Sequence, residues 1–314
     1  MNFKTTIKQP FFERKIKIED SSFFIGSCFS INLFQKFQQH FLRANVNPFG
    51  TVFNPVSIKS QIEELLNYSN PTVSLTKVEN RFYSLNHNSL FSDGSKIELE
   101  GKILSTIKNE YQNLTKANNV FITLGTAWVY QWKVNQKIVA NCHKIPQDNF
   151  TKRLLSIQEI SETLQEIIFL LQSNNPAINV VFTLSPVRHL KDGFNENSLS
   201  KARLLESIHQ VVNSNNSVEY FPAFEIFMDD LRDYRFYDSD MVHPNDIGVE
   251  YVWEIFKKAF FEDDDFRYLK NLESLYKAQN HRLINPNPIQ QEKHNHFVNQ
   301  LRTELNNKYP KLTI

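Results

Sequence analysis

The chain has 314 residues, with 35 Lys+Arg against 34 Asp+Glu and a formal charge of +1. That balance removes the electrostatic basis for a dedicated nucleic-acid binder, which needs a basic excess to displace phosphate counterions. Hydrophobic residues make up 41%, including 27 Phe and 11 Tyr, which is core material for two average domains or one α/β domain with extensions, and excludes a disordered chain. The first 20 residues alternate charged and apolar side chains without the apolar core of a signal peptide. No apolar run approaches the ~20 residues of a membrane span. The expectation is a cytoplasmic protein whose two cysteines, Cys28 and Cys142, stay reduced.

Taken in chain order, short apolar runs alternate with helical stripes. Phe23-Phe24-Ile25 reads as a strand ending in Gly26-Ser27, followed by Phe29, Leu33, Phe34, Phe37 and Phe41 at helical spacing. Leu42 to Asn47 reads as a second strand ending in Pro48-Phe49-Gly50. Asn54-Pro55 then supplies an N-cap with proline at the first helical position, and Ile58, Ile62, Leu65 and Leu66 continue the helix. Residues 70–100 are mixed polar and aromatic and read as an insertion with short strands. Ile103, Leu104, Ile107, Tyr111 and Leu114 form the next stripe, and Val120 to Leu124 a buried strand ending in Gly125-Thr126. Trp128–Trp132 and Ile138–Asn141 read as a hairpin around Asn135-Gln136, the hairpin segment running over 127–143. Ser156-x-x-Glu159 is a capping box opening a helix through Ile157, Ile160, Leu164, Ile167, Ile168 and Leu171. The strand Val180–Leu184, a helix through Ala202, Leu205, Ile208 and Val212, the strand Val218–Phe221 and a helix over 246–261 follow. Two further helices, near 263–281 and 288–308, end the chain.

Five strands alternating with helices predict a parallel sheet covered on both faces, with ligands at the carboxyl ends of its strands. Glycine occurs only 7 times, and Gly26, Gly50 and Gly125 stand at those ends, where backbone must approach something closely. Asp240-Met241-Val242-His243 precedes the helix over 246–261. Its three-residue spacing lets the carboxylate orient the imidazole while the far ring nitrogen takes a proton from a hydroxyl or thiol at the first strand end. The plainer alternative is an ordinary turn with Asp240 as a solvated cap. A two-residue turn at Asn135-Gln136 would set His143 opposite Trp128 and return it to the mouth of the third strand as a substrate contact. The alternative for His143 is a hairpin-end histidine bonded to backbone. Arg188, His189 and Asp192 lie just past the fourth strand. An arginine there suits a carboxylate or phosphate on a substrate, and an internal Arg188–Asp192 ion pair is the competing reading. Cys142, His143 and His189 lack metal-ligand spacing, so no metal is expected. No glycine-rich phosphate cradle occurs, so no nucleotide cofactor is expected either.

The segments IGSCFS (25–30), NPFGTVFNPVSI (47–58), TLSPVRHLKDG (183–193) with SKA (200–202), LRDYRFYDSDMVHPN (231–245) and the tail NHRLINP resemble the GSCFA family, which is similar to the SGNH/GDSL hydrolases. The likeness runs along essentially the whole chain. It implies a three-layer α/β/α sandwich with a flavodoxin-like, mostly parallel five-stranded sheet over residues 1–262, with the inserted segment, and a helical extension over 263–314. It implies a nucleophile after the first strand, to which Asp240 and His243 supply the Asp-x-x-His pair. A gap-free alignment puts Cys28 in the nucleophile column, and a one-residue shift puts Ser27 there. Both remain candidates. Oxyanion donors are expected from the residue 27 or 28 amide and from Gly50. The Asn that follows the third strand in the superfamily is absent, and Gly125 and Thr126 stand in its place. The resemblance implies an acyl-ester hydrolase or acyltransferase acting on a small-molecule or glycan ester. The alternative is a binding or scaffolding protein that kept the fold and lost turnover.

Overall fold

The computed structural model describes residues 5–281, 287–310 and 312; most of the NHRLINP tail motif, residues 282–286, lies outside them. The chain runs through β1 (Ser21–Gly26), α1 (Cys28–Gln39), β2 (Arg43–Val46) and α2 (Pro55–Leu66). A small antiparallel sheet of β3 (Thr76–Val78), β4 (Arg81–Tyr83) and β5 (Ser92–Asp93) precedes α3 (Lys96–Thr115) and β6 (Asn119–Leu124). A second one is built from β7 (Trp128–Trp132), β8 (Ile138–Val139) and β9 (Phe150–Leu154). Next come α4 (Ile157–Asn174), β10 (Asn179–Leu184), α5 (Phe194–Asn213), β11 (Val218–Phe221) and α6 (Ala223–Glu225), which runs into a π-helical turn at Ile226–Asp230. The chain ends in α7 (Asp246–Phe260), α8 (Phe266–Asn280) and α9 (Pro288–Lys308).

The central sheet has the order β11-β10-β6-β1-β2 and every pair in it is parallel. Counting only its own strands, this is the doubly wound 2-1-3-4-5 order of flavodoxin-like folds, with the switch point between β1 and β6. Strand alternation sends Phe23, Ile25, Val120, Ile122, Val180 and Phe182 to one face, where they pack with residues of α2, α3, α4 and α5. Phe24, Phe121 and Val181 point to the other face, under α1 and α7. The result is the expected three-layer α/β/α sandwich. Leu269, Leu272, Leu275, Leu305 and Leu312 belong to that second cluster, so the C-terminal helices share a core with α1 and α7.

Local sequence explains the helix starts. Asn54 accepts the Ser57 N–H ahead of Pro55, and Ser156 and Glu159 form the reciprocal capping box. Two local features differ from expectation. The β7–β8 pairing is Tyr130↔Val139 and Gln131↔Ile138, closed by a four-residue loop over 133–136 in which Gln136 is left-handed (φ 58). This register is two residues away from the one a two-residue turn would set. The buried stripe of α5 is Asn197, Ser200, Lys201, Leu204, Ser207, Ile208 and Val211, which shares Ile208 with the expected apolar line but not Ala202, Leu205 or Val212.

Candidate active site

The candidate nucleophiles and the residues that follow the third and fourth strands of the sheet lie at the carboxyl ends of β1, β6 and β10. Gly26 closes β1 in a left-handed conformation (φ +138), and a Cβ there would stand 2.1 Å from the Thr123 carbonyl oxygen. The chain can pass β6 that closely only without a side chain. The Ser27 N–H then donates to the same carbonyl at 3.0 Å, and α1 begins at Cys28.

This turn separates the two candidate nucleophiles. Ser27 is the N-cap of α1, yet its hydroxyl makes no cap bond, is fully buried (0% exposed) and has no hydrogen-bond partner among the described residues. Cys28, one residue on, is a free thiol and partly exposed. Its sulfur lies against the backbone N–H groups of Cys28 and Phe29, in the first turn of the helix. On balance the Cys28 thiol is raised: burial, helped by the charge of Asp240, outweighs the pull of those two amides and of Lys201.

Asp240 and His243 occupy one tight turn, as their spacing predicts. The Asp240 Oδ1 accepts the N–H groups of Val242 and His243, both at 2.9 Å, and its Oδ2 accepts the His243 Nδ1–H at 2.6 Å. These backbone and side-chain donors hold the Asp240 carboxyl well down, at about 2. An ionised carboxylate only accepts, so in the neutral imidazole the proton sits on Nδ1 and the lone pair on Nε2. Met241 takes a left-handed φ of 57° to close the turn. Arg188 braces it: Nη2 donates to the Met241 carbonyl at 3.2 Å, and the guanidinium lies over Tyr237 and Tyr234, 5.1 and 5.9 Å from their centroids.

The expected Arg188–Asp192 ion pair does not form. Asp192 is held instead by Lys152 of β9, whose ammonium lies over the Trp128 ring. His189 anchors through its N–H on Asn197 Oδ1 at 2.9 Å, and its ring stands edge-on to Phe53. The His189 Nε2 is buried, without a partner among the described residues, and lies 3.1 Å from where a Gly125 Cβ would be. Burial and Lys201 lower His189 to about 4, so the ring is neutral.

Three oxyanion expectations are corrected. The Gly50 N–H donates to the Asn47 carbonyl at 2.7 Å, and the Gly125 and Thr126 N–H groups both donate to the Phe53 carbonyl, at 2.8 and 3.1 Å. The Thr126 hydroxyl pairs with Ser200 Oγ at 3.1 Å and accepts the Trp128 N–H. The end of β6 is stitched to residues 51–54 and to α5, so these groups build the floor and have no donor free for a substrate. The Cys28 amide is not engaged in that stitching.

His143 is also placed differently. Its Nε2 bonds the Ser84 carbonyl at 2.7 Å and its ring packs by Tyr83, which turns it toward the β3–β5 sheet. The two extra loop residues in the β7–β8 hairpin, and the left-handed backbone at His143 (φ 49), carry it there. A cavity of about 320 Å³ lies between α2, the insertion and this hairpin, lined by Glu64, Asn86, Trp132 and Lys137 among others, and contains none of the candidate nucleophile or base residues. The insertion reaches the second strand end through Asn88, whose N–H donates to the Phe49 carbonyl and whose side chain covers Gly50.

One residue was not expected in the site. Lys201 is 3% exposed, and its ammonium donates to the carbonyls of Gly125 (2.8 Å) and Ser185 (2.7 Å), bridging the ends of β6 and β10. Burial lowers it to about 7, and Cys28 is the one titratable group opposing that shift. Charge interactions link Lys201 with Cys28 and His189, Asp240 with Cys28, and His243 with His189. The sequence signal was a lysine on the buried stripe of α5, inside the SKA segment.

No curated protein matches the chain. Among solved structures, it is similar to a family 3 carbohydrate esterase of Clostridium thermocellum at 12% identity and a TM-score of 0.36, over 81% of this chain and 99% of that one. It is also similar to an acetyl xylan esterase (Est2A) from the rumen bacterium Butyrivibrio proteoclasticus at 10% identity and a TM-score of 0.33, over 66% of this chain and 56% of that one. No helix among the described residues is long and apolar enough to cross a membrane. The profile of the GSCFA family matches residues 21–256, three quarters of the sequence and every strand-end segment described above, and the chain belongs to that family.

Proposed function

We propose that this protein is an acyl-transfer enzyme in which Cys28 takes an acyl group from a small-molecule or glycan ester and passes it to water or to a hydroxyl acceptor. His243 Nε2 accepts the thiol proton as Cys28 Sγ attacks the carbonyl carbon, and the carbonyl π pair moves onto oxygen. Collapse of that oxyanion expels the alkoxide, which takes the proton from His243 and leaves a thioester on Cys28. Water or an acceptor hydroxyl then attacks the thioester, again giving its proton to His243, and the thiolate departs. The Cys28 amide, at the start of α1, turns from the sulfur to the oxyanion as the tetrahedral intermediate forms.

The observation that carries this reading is the Asp240–His243 pair, whose 2.6 Å bond and turn-bound carboxylate fix a base-competent tautomer. Cys28 is preferred to Ser27 because the serine hydroxyl is sealed in the interior. The engaged amides of Gly50, Gly125 and Thr126 favour a second reading, a binding protein that retains the fold without turnover.

Hydrolysis of short-chain aryl esters and thioesters separates the two, with intact-mass detection of the acyl-enzyme in wild type and in Ser27→Ala, Cys28→Ala and His243→Ala. Turnover and an acyl adduct lost in Cys28→Ala and His243→Ala but kept in Ser27→Ala are expected. A fluorophosphonate adduct that disappears in Ser27→Ala would reassign the nucleophile. Absence of any His243-dependent turnover or labelling would establish the second reading.

A further inference from the structure

Lys201 sits in the fold in a way that packing alone does not explain. An ammonium taken fully out of water is costly unless a counter-charge or good hydrogen bonds compensate for its lost hydration. No carboxylate pairs with Lys201 among the described residues; two of its three N–H groups go to the Gly125 and Ser185 carbonyls. Gly125 is two residues beyond Thr123, whose carbonyl receives the Ser27 N–H and whose hydroxyl receives the Ser30 hydroxyl, both at the start of α1. The clamp therefore fixes the ammonium at the end of the strand on which the first turn of α1 rests, within electrostatic reach of Cys28. His189 interacts with Lys201, and the other ionisable groups around His189 and Cys28 are Asp192, Asp240 and His243. His189 is neutral, Asp192 is taken by Lys152, and Asp240 is taken by His243 and its own turn. Cys28 is left as the group able to supply a negative charge to Lys201.

We propose that Lys201 is a positioning residue that forms a buried ion pair with Cys28, remaining an ammonium so that the thiol proton is the one released when the site ionises. The pair rests on the assignment of Cys28 as nucleophile but does not depend on which ester is cleaved. In the ionised site Cys28 Sγ has lost its proton to His243 or to solvent, and Lys201 keeps all three of its own. The same positive charge favours departure of the thiolate when the thioester breaks. A lysine neutral in the working state would leave the two first-turn amides alone against the desolvation that drives a thiol away from ionisation. The two groups titrate as a couple, so each must report on the other.

The test is the pH dependence of Cys28 alkylation by iodoacetamide, followed by intact mass in a Cys142→Ser background, for the otherwise wild-type protein and for Lys201→Met and Lys201→Gln. The pair requires the alkylation midpoint to rise by at least about one pH unit in both variants, which is a ten-fold slower reaction on the acid side of the profile. A midpoint unchanged by either substitution in a folded variant overturns it. If neither variant folds, the reciprocal measurement decides: the Lys201 ε-carbon is titrated by NMR in wild type and in Cys28→Ser. Loss of the thiolate must lower the lysine midpoint by a comparable amount, and equal midpoints overturn the pair. Both shifts without ester turnover would leave the ion pair standing and remove the acyl-transfer reading. Turnover dependent on Cys28 and His243 with neither shift would do the reverse.

Discussion

Asp240→Asn isolates what the carboxylate does for His243. The Asn oxygen can still accept the Val242 and His243 N–H groups that now reach Oδ1 at 2.9 Å, so the turn survives. The change falls on the other side of the group. Where Oδ2 accepts the His243 Nδ1–H at 2.6 Å, an amide presents an N–H, and the imidazole must move its proton to Nε2 to receive it. That removes the lone pair from the nitrogen assigned as base. The expected loss in kcat is about 10²- to 10⁴-fold, the range for general-base catalysis and for inverting the tautomer in a comparable triad. KM should move little. The melting temperature should stay near wild type, since Asp240 and His243 are 49% and 47% exposed. Asp240→Ala supplies the contrast, because it frees both backbone N–H groups yet imposes no tautomer. If the carboxylate served only to hold the turn, Asn would retain more activity than Ala. Control of the tautomer ranks Asn at or below Ala. The assay is steady-state hydrolysis of an activated ester by all three proteins at equal concentration, with near-ultraviolet circular dichroism as the check on folding. A kcat for Asp240→Asn within three-fold of wild type would refute the assignment of His243 as base.

Gly26→Ala should destabilise the protein by about 3 kcal/mol or more in urea unfolding, because the added Cβ meets the Thr123 carbonyl at 2.1 Å in a left-handed backbone; a loss below about 1 kcal/mol would mean the β1–β6 crossing is looser than described. Leu272→Ala, at a fully buried position of α8, should cost about 2–5 kcal/mol in a single transition shared with the sheet, whereas an early separate transition would make the C-terminal helices an independent unit. His189 is lowered from 6.5 to about 4 in the folded protein, so between those values the unfolded chain binds more protons than the native one. Stability should therefore fall as pH drops through that window, by at most about 3 kcal/mol from this residue, and His189→Gln should flatten the slope of chemical-denaturation free energy against pH from 7 to 4; an unchanged slope would place the His189 ring in water.

How far the sequence could be read follows from which signals are local. The sheet was legible because its strands are short runs such as Val120–Leu124 and Val180–Leu184, buried on both faces, and because a glycine-poor chain still places Gly26 where backbone must pass closely. The Asp240–His243 turn was legible because its bonds span only three residues. The hairpin register was not, since a two-residue and a four-residue loop share the same Asn135-Gln136 signal, and the difference moved His143 from the strand ends to Ser84. The oxyanion donors were misread for a related reason: Gly50, Gly125 and Thr126 lie at the strand ends as expected, but whether an amide is free depends on which carbonyl the fold brings to it, here those of Asn47 and Phe53. Lys201 shows the same limit from the opposite side. Hydropathy assigns a lysine to the solvent face of a helix, and the apolar line through Ala202, Leu205 and Val212 drew the stripe one residue off. The buried stripe of α5 is polar at its N-terminal end because the ends of β6 and β10 offer carbonyls there rather than methyl groups. A helix end packed over the open end of a parallel sheet meets unpaired backbone acceptors, so a donor on that stripe is expected wherever strand ends are sealed from water. A lysine meets that demand with a charge as well as with protons, and a charge buried beside the partly exposed thiol of Cys28 does more than seal a sheet.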